Sequence, residues 1–243
     1  MSDISQADDR AGWELLFRSG NFPPRYQSQA APNPSVVEWA DALPPGSSIL
    51  DVGCGVGRHL LYLGARGFRM AGADISPTGV KTSQERCAEQ QIALDARVSP
   101  MTLLPWGDNV FDAALSTSTI PHNRRADILR TLQEVRRVLK PGGLFLVDFL
   151  HKDTLNYQRA LDQAASGQLT EVEPDTFIDE SPTLDASDDA FLPHHFSDEA
   201  EVRDLLGSFD IVRLWADLSE RAPDGGRGQR GYWVAWARKP LSS

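Results

Sequence analysis

The hydrophobic positions change rhythm along the chain, and each change marks an element. Between residues 47 and 150, short continuous apolar runs alternate with stretches of helical period. "SSILDV", "RMAGAD", "ALDARVS", "VFDAALS" and "LFLVDFL" read as five strands. Continuous rather than alternating apolar runs belong to strands covered on both faces. Helical patterns lie between them. "RHLLYLGARG" is stopped by Gly67, and "SPTGVKTSQERCAEQQ" starts with Ser76 as N-cap and Pro77 at the first helical position. "RADILRTLQEVRRVL" puts Ile128, Leu132, Val135 and Leu139 on one face, and "KPGG" ends it. This alternation gives a parallel sheet with helices on both faces.

The two ends read differently. Before Ser47, the pattern predicts a short helix around Trp13–Phe17, then irregular chain. A second helix over Pro34–Ala42 is stopped by "PPG". From Glu171 to Asp204 there are twelve acidic residues and one basic residue, Arg203. This stretch is either a solvated, partly mobile insertion or a lid. "FDIVRLWADL" and "RGYWVAWARK" are strand-like, and the segment holding Gly225, Gly226 and Gly228 joins them as an antiparallel hairpin. The expected fold class is α/β: a three-layer sandwich with a seven-stranded, mostly parallel sheet and an antiparallel C-terminal hairpin. One domain spans residues 1–243: an N-terminal flap (1–46), a core (47–150), an insertion or lid (151–207) and the hairpin (208–243).

Charge narrows the partners. The net charge of −10 repels a phosphate backbone, so nucleic acid is not an expected partner. The basic ends of "RRADILRTLQEVRR" read as a solvated helix face. No apolar run approaches the roughly 20 residues of a membrane span, and "MSDISQADDR" lacks the basic start and apolar stretch of a secretory signal. Cys54 and Cys87 make no disulfide framework and sit in no metal-ligand spacing, so no metal is expected. The expected location is the reducing cytoplasm.

The chemistry centres on "DVGCGVGRHLLYL", residues 51–63, at the end of the first strand. In an open parallel sheet, ligands bind beyond the carboxyl ends of the strands. Gly53, Gly55 and Gly57 clear side chains from that crevice. A dinucleotide fingerprint spaces its glycines G-x-G-x-x-G. Here the order is G-x-G-x-G, and Arg58 stands where the third dinucleotide glycine belongs. Asp51 precedes the loop, where a carboxylate suits a cationic amino group and repels a pyrophosphate. Asp74 ends the second strand, where a carboxylate can accept hydrogen bonds from both ribose hydroxyls of any adenosine-type ligand, NAD included.

Together these residues resemble motif I and the acidic loop of the class I S-adenosylmethionine-dependent methyltransferases. "LLPWGDNVFDAALS" and "LQEVRRVLKPGGLFLVDF" resemble later segments of the same Rossmann-like family. "GCGVGRHLLYLGARGF", "WELLFRSGNFPPRY" and "LPHHFSDEAEVRDLL" are most similar to its small-molecule branch, which holds the tellurite-resistance and thiopurine methyltransferase types. The resemblance implies S-adenosylmethionine as cofactor and methyl transfer to a small-molecule acceptor. The alternatives are transfer to a protein, or cofactor binding without catalysis. It implies that Asp51, Gly53, Cys54, Gly55 and Gly57 hold the methionine part and that Asp74 holds the ribose. Ile75 packs on the adenine, with Ser99 and Met101 at its border. The family often has an acidic residue where this chain has Ser99. Ser116 and Thr117 face the sulfonium, and Tyr26 and Arg25 belong to the covering flap. Arg58 either pairs with the cofactor carboxylate or charges the crevice surface. Trp106 is read as an apolar neighbour of the adenine.

Two histidines are candidate catalytic groups. His122 follows the fourth strand and is either a general base or a loop histidine bonded to backbone. His195 is a candidate substrate contact, with its neighbour His194 the structural one.

Overall fold

The computed structural model describes residues 4–20, 31–179, 192–218 and 230–241. Helices α1 (Ile4–Ser19) and α2 (Pro34–Asp41) come first. The alternating core follows: β1 (Ser48–Val52), α3 (Arg58–Ala65), β2 (Arg69–Asp74), α4 (Pro77–Glu89), β3 (Leu94–Val98), β4 (Phe111–Ser116), α5 (Arg125–Val138) and β5 (Leu139–His151). Then come α6 (Leu155–Ala165), β6 (Thr170–Glu173), β7 (Thr176–Ile178), β8 (His194–Ser197), α7 (Glu199–Leu205), β9 (Asp210–Asp217) and β10 (Tyr232–Arg238).

The predicted seven strands are present, in the order β3-β2-β1-β4-β5-β10-β9. The first five run parallel, and β10 and β9 close the sheet antiparallel. The sheet is larger than expected. β5 reaches past the last β4 pairing at Ser116, and β8 pairs with its free end at Leu150 and His151. The hairpin β6–β7 then adds to β8. "KPGG" ends α5 as expected, yet already lies within β5.

Alternation along β5 builds the two faces. Leu144 and Leu146 join a core with Val36, Trp39, Leu60, Leu63 and Cys87, under α2, α3 and α4. Phe145, Val147 and Phe149 join the other core with Ile128, Leu132, Val135, Val202 and Leu205, under α5 and α7. Successive strand residues point to opposite faces, so a strand rich in Leu, Phe and Val feeds both layers.

Helix α1 is longer than the expected helix around Trp13–Phe17. It packs on α4, where Phe17 meets Gly79. The acidic stretch is built into the sheet over residues 171–179 and 192–204, as β6, β7, β8 and α7. Cations from elsewhere meet its charges. Lys152 pairs with Asp175 and Asp198, and Arg125 with Glu201 and Asp204. Residues 180–191 and the hairpin joint at 219–229 lie outside the described residues, as do Tyr26 and Arg25.

Candidate active site

A cleft of about 1010 Å³, part of it open to solvent, lies at the carboxyl ends of β1, β2 and β4. Its floor is the glycine loop. Gly53 and Cys54 both donate their N–H to the Ala73 carbonyl, at 2.7 and 3.0 Å, which ties the loop to β2. Gly53 has φ +77°, and a Cβ there would collide with the Thr119 side chain. Gly57 caps α3 at φ +89°, where a Cβ would also press tightly on Ser83. Both positions require glycine.

Asp74 is buried at the cleft wall. Its Oδ2 accepts the Gly55 N–H at 2.8 Å and its Oδ1 the Ser76 N–H at 2.9 Å. A carboxylate offers about four lone-pair sites, so these bonds leave part of its capacity to accept. Burial raises its pKa to about 6, against the pull of the Ser76, Gly55 and Ile75 N–H groups. Asp51 is buried too. Burial pushes its carboxyl up to about 7, opposed by the Arg58 charge and helped by Asp74. Cys54 lines the floor as a buried thiol, held well above its usual pKa by burial.

The remaining wall comes from several loops. Ile75, Pro100 and Met101 supply apolar surface, and Ser99, with its Oγ donating to the Leu103 carbonyl at 2.5 Å, lies beside them. The β4–α5 loop brings Thr117, Ser118, Thr119, His122 and Asn123. Helix α1 covers one side with Trp13 and Phe17, and Phe17 lies against Gly55. The His122 ring is buried, edge-on to Trp13 at 5.6 Å and to His194 at 4.6 Å.

Thus the structure brings together Asp51, Gly53, Cys54, Gly55, Arg58, Asp74, Ile75, Ser99, Met101, Thr117 and His122 around one cleft. Gly57 stands behind the loop as the helix cap. Three expectations are corrected. Ser116 lies under the loop, its hydroxyl donating to the Val52 carbonyl at 2.8 Å, and does not line the cleft. His195 is turned into the protein. Its Nδ1 lies 2.7 Å from Thr176 Oγ1 and its Nε2 3.2 Å from Glu201 Oε1, so it holds β8 to β7 and α7. Its neighbour His194 is the one that reaches His122. Trp106 does not line the cleft either. It packs under the Arg97 guanidinium, against Phe111, and its indole N–H donates to Asp95.

Four positions in or beside the cleft escaped the sequence reading. Glu14 of α1 accepts hydrogen bonds from the Ser76 and Thr78 hydroxyls. His59 lines the cleft as a neutral ring, held well below its usual pKa by burial and by Arg58. Thr119 fills the space that Gly53 leaves open. Asp148, in the middle of β5, accepts the Ser118 N–H at 2.7 Å. The only sequence signal for Asp148 is an acid inside an apolar strand.

A family model described as a methyltransferase domain matches residues 50–147. Among curated proteins, the chain is 36% identical over 116 residues to 2-methyl-6-phytyl-1,4-hydroquinone methyltransferase of Synechocystis, covering 46% of this chain and 36% of that one. It is 36% identical over 118 residues to tRNA (carboxymethyluridine(34)-5-O)-methyltransferase of Arabidopsis thaliana, covering 47% and 26%. The matched stretch thus spans well under half the length of either relative. Among solved structures, an S-adenosylmethionine-dependent methyltransferase from Methanosarcina mazei superposes with a TM-score of 0.69 at 24% identity, covering 88% of this chain and all of that one.

Proposed function

We propose that this chain transfers the methyl group of S-adenosylmethionine to a small-molecule acceptor, a reading supported by the match of residues 50–147 to a methyltransferase domain. The observation that carries this reading is Asp74, a buried carboxylate at the head of β2 and in the wall of the cleft, where it can accept from a ribose. The donor set fits the cofactor along its length. Asp51 faces the cationic amino end, and Arg58 offers a partner for the carboxylate. Asp74 holds the ribose, while Ile75, Ser99 and Met101 border the adenine. Thr117 faces the sulfonium region. Tyr26 stays with the flap as a cofactor contact of this reading.

The cofactor supplies a methyl group activated by an adjacent positive charge. The chain's part is alignment and exclusion of water. The glycine loop and Thr119 fix the floor, and Trp13 and Phe17 cover the side. His122 is the group placed to accept a proton from a hydroxyl or amine acceptor. A thiolate acceptor would need alignment alone.

The acceptor is a small molecule rather than nucleic acid on this reading. A chain of net charge −10 opposes a polyanion. Arg58 is the single Lys or Arg among the described residues lining the cleft, against three aspartates, Asp51, Asp74 and Asp127. Among the described residues no helix is long and apolar enough to cross a membrane. The reading places the reaction in the cytoplasm. A screen with methyl-labelled cofactor against a panel of thiols, phenols, amines and transfer RNA tests it. Label on a small acceptor supports the proposal, and label on RNA alone overturns it.

A further inference from the structure

We propose that Asp148 is a positioning residue of the site: from the adjoining strand, its carboxylate holds Ser118 in a left-handed turn and so sets the loop that carries Thr117, Thr119 and His122. The inference rests on the reading of this cleft as a methyl-transfer site.

Asp148 lies in β5 between Val147 and Phe149. Alternation puts it on the face of Leu144 and Leu146, the side of α2, α3 and α4. It is 5% exposed. An acid inside an apolar strand needs a reason to be there, since burial penalises its charge. One reason is visible: Oδ1 accepts the Ser118 N–H at 2.7 Å.

Ser118 has φ +53°, a conformation that a residue with a Cβ avoids. The loop on either side is fastened to the cleft floor. The Thr117 hydroxyl lies 3.4 Å from His59 Nδ1. The Thr119 side chain packs against Gly53, and its hydroxyl donates to the Thr117 carbonyl at 3.0 Å. The His122 N–H donates to the Thr119 carbonyl at 3.1 Å, so the backbone that carries the His122 ring is tied to Thr119. Arg58 and Asp217 are the charges that reach Asp148, and Arg58 also reaches Asp51. The Arg58 charge is therefore felt by both Asp51 and Asp148.

Hydrogen exchange read by mass spectrometry on the full chain tests the proposal without an acceptor. In Asp148→Ala, exchange of the peptide covering residues 117–123 speeds up by about tenfold, the scale of one lost buried hydrogen bond. Peptides from β1, β2 and β5 stay protected. Asp148→Asn, whose amide oxygen accepts the same N–H, keeps protection. Adding Ser118→Gly to Asp148→Ala restores part of it, because glycine adopts the left-handed turn unaided. A merely structural void at position 148 would gain nothing from a change at 118. Unchanged exchange in Asp148→Ala, loss in Asp148→Asn, or no recovery with Ser118→Gly overturns the proposal. S-adenosylhomocysteine binding is measured on the same proteins. Wild-type chain that fails to bind it ends the methyl-transfer reading alone, and the exchange data still decide whether Asp148 holds the loop.

Discussion

Glu14 and Thr78 join the N-terminal helix to the core through a two-pronged contact. Glu14 Oε1 accepts the Thr78 hydroxyl at 2.6 Å, and Oε2 accepts the Thr78 N–H at 3.1 Å. The Ser76 hydroxyl donates to the same Oε2 at 2.6 Å. The carboxylate thus binds the first turn of α4, where unpaired N–H groups favour an anion. Two residues of the cleft wall, Trp13 and Phe17, are set by this contact.

Glu14→Ala should loosen α1 and weaken S-adenosylhomocysteine binding, at a cost of about 1–3 kcal/mol for bonds to a charged group. Calorimetry and limited proteolysis near residue 20 check this. Burial raises the Glu14 pKa, but the bonds from Ser76 and Thr78 outweigh it and leave the value below 4.5. A depressed acid stabilises fully above its unfolded pKa and loses that effect as pH falls through the folded one. The α1 contact should therefore hold at neutral pH and release only in acid, and proteolysis followed against pH reads that release.

Asp51 gives the opposite sign. Its folded pKa is raised to about 7, so the folded chain takes up a proton that the unfolded chain has released. Its contribution to stability is therefore present at low pH and falls as pH rises from about 4 to 7. Pairing with an amino cation needs the ionised form. Affinity for S-adenosylmethionine should rise from about pH 5.5 to 7.5, by up to tenfold per unit below the pKa. Asp51→Asn should flatten that rise, as measured by calorimetry across the range.

Gly53→Ala should be poorly tolerated. The left-handed φ alone costs a residue with a Cβ about 1–2 kcal/mol, and overlap with Thr119 adds to it. A fall in melting temperature, with loss of cofactor binding, is the expected result. Thr119→Ser in the same background should recover part of the stability by removing the methyl group in the way, but not the part due to φ.

The two histidines should separate. His122→Ala should cut turnover of a hydroxyl or amine acceptor by about 10²–10⁴-fold, the range for a general base, with cofactor affinity nearly unchanged. His195→Ala should lower the melting temperature by breaking the Thr176 and Glu201 contacts, with turnover of the remaining folded protein nearly intact. Steady-state kinetics beside thermal melts distinguish them.

What the sequence disclosed, and what it hid, follows from the range of each signal. The glycine loop, Asp74 and the Ser76 cap are local patterns, and all three take the expected places. Four of the five parallel strands are largely apolar runs, while β3, "LDARV" at the sheet edge, alternates and stays mostly exposed. Strands β6 and β8 are short and polar, "TEVE" and "HHFS", and owe their form to pairing rather than composition. The His194–His195 assignment turned on strand register. Adjacent strand residues face opposite ways, and the β7 pairing of Thr176 with His195 decides which one enters the protein. Ser116 was misplaced for the same reason, one residue before Thr117. Asp148 and Glu14 act across 30 and 64 positions of sequence, a distance that no local pattern encodes.

Calorimetric titration of the chain with S-adenosylmethionine, beside Asp74→Ala, addresses the central claim most directly. The account predicts one saturable site in the wild type and a loss of about 1–3 kcal/mol in the variant, the cost of removing a charged hydrogen-bonding partner. No heat of binding at millimolar cofactor, or equal affinity in both proteins, would contradict it.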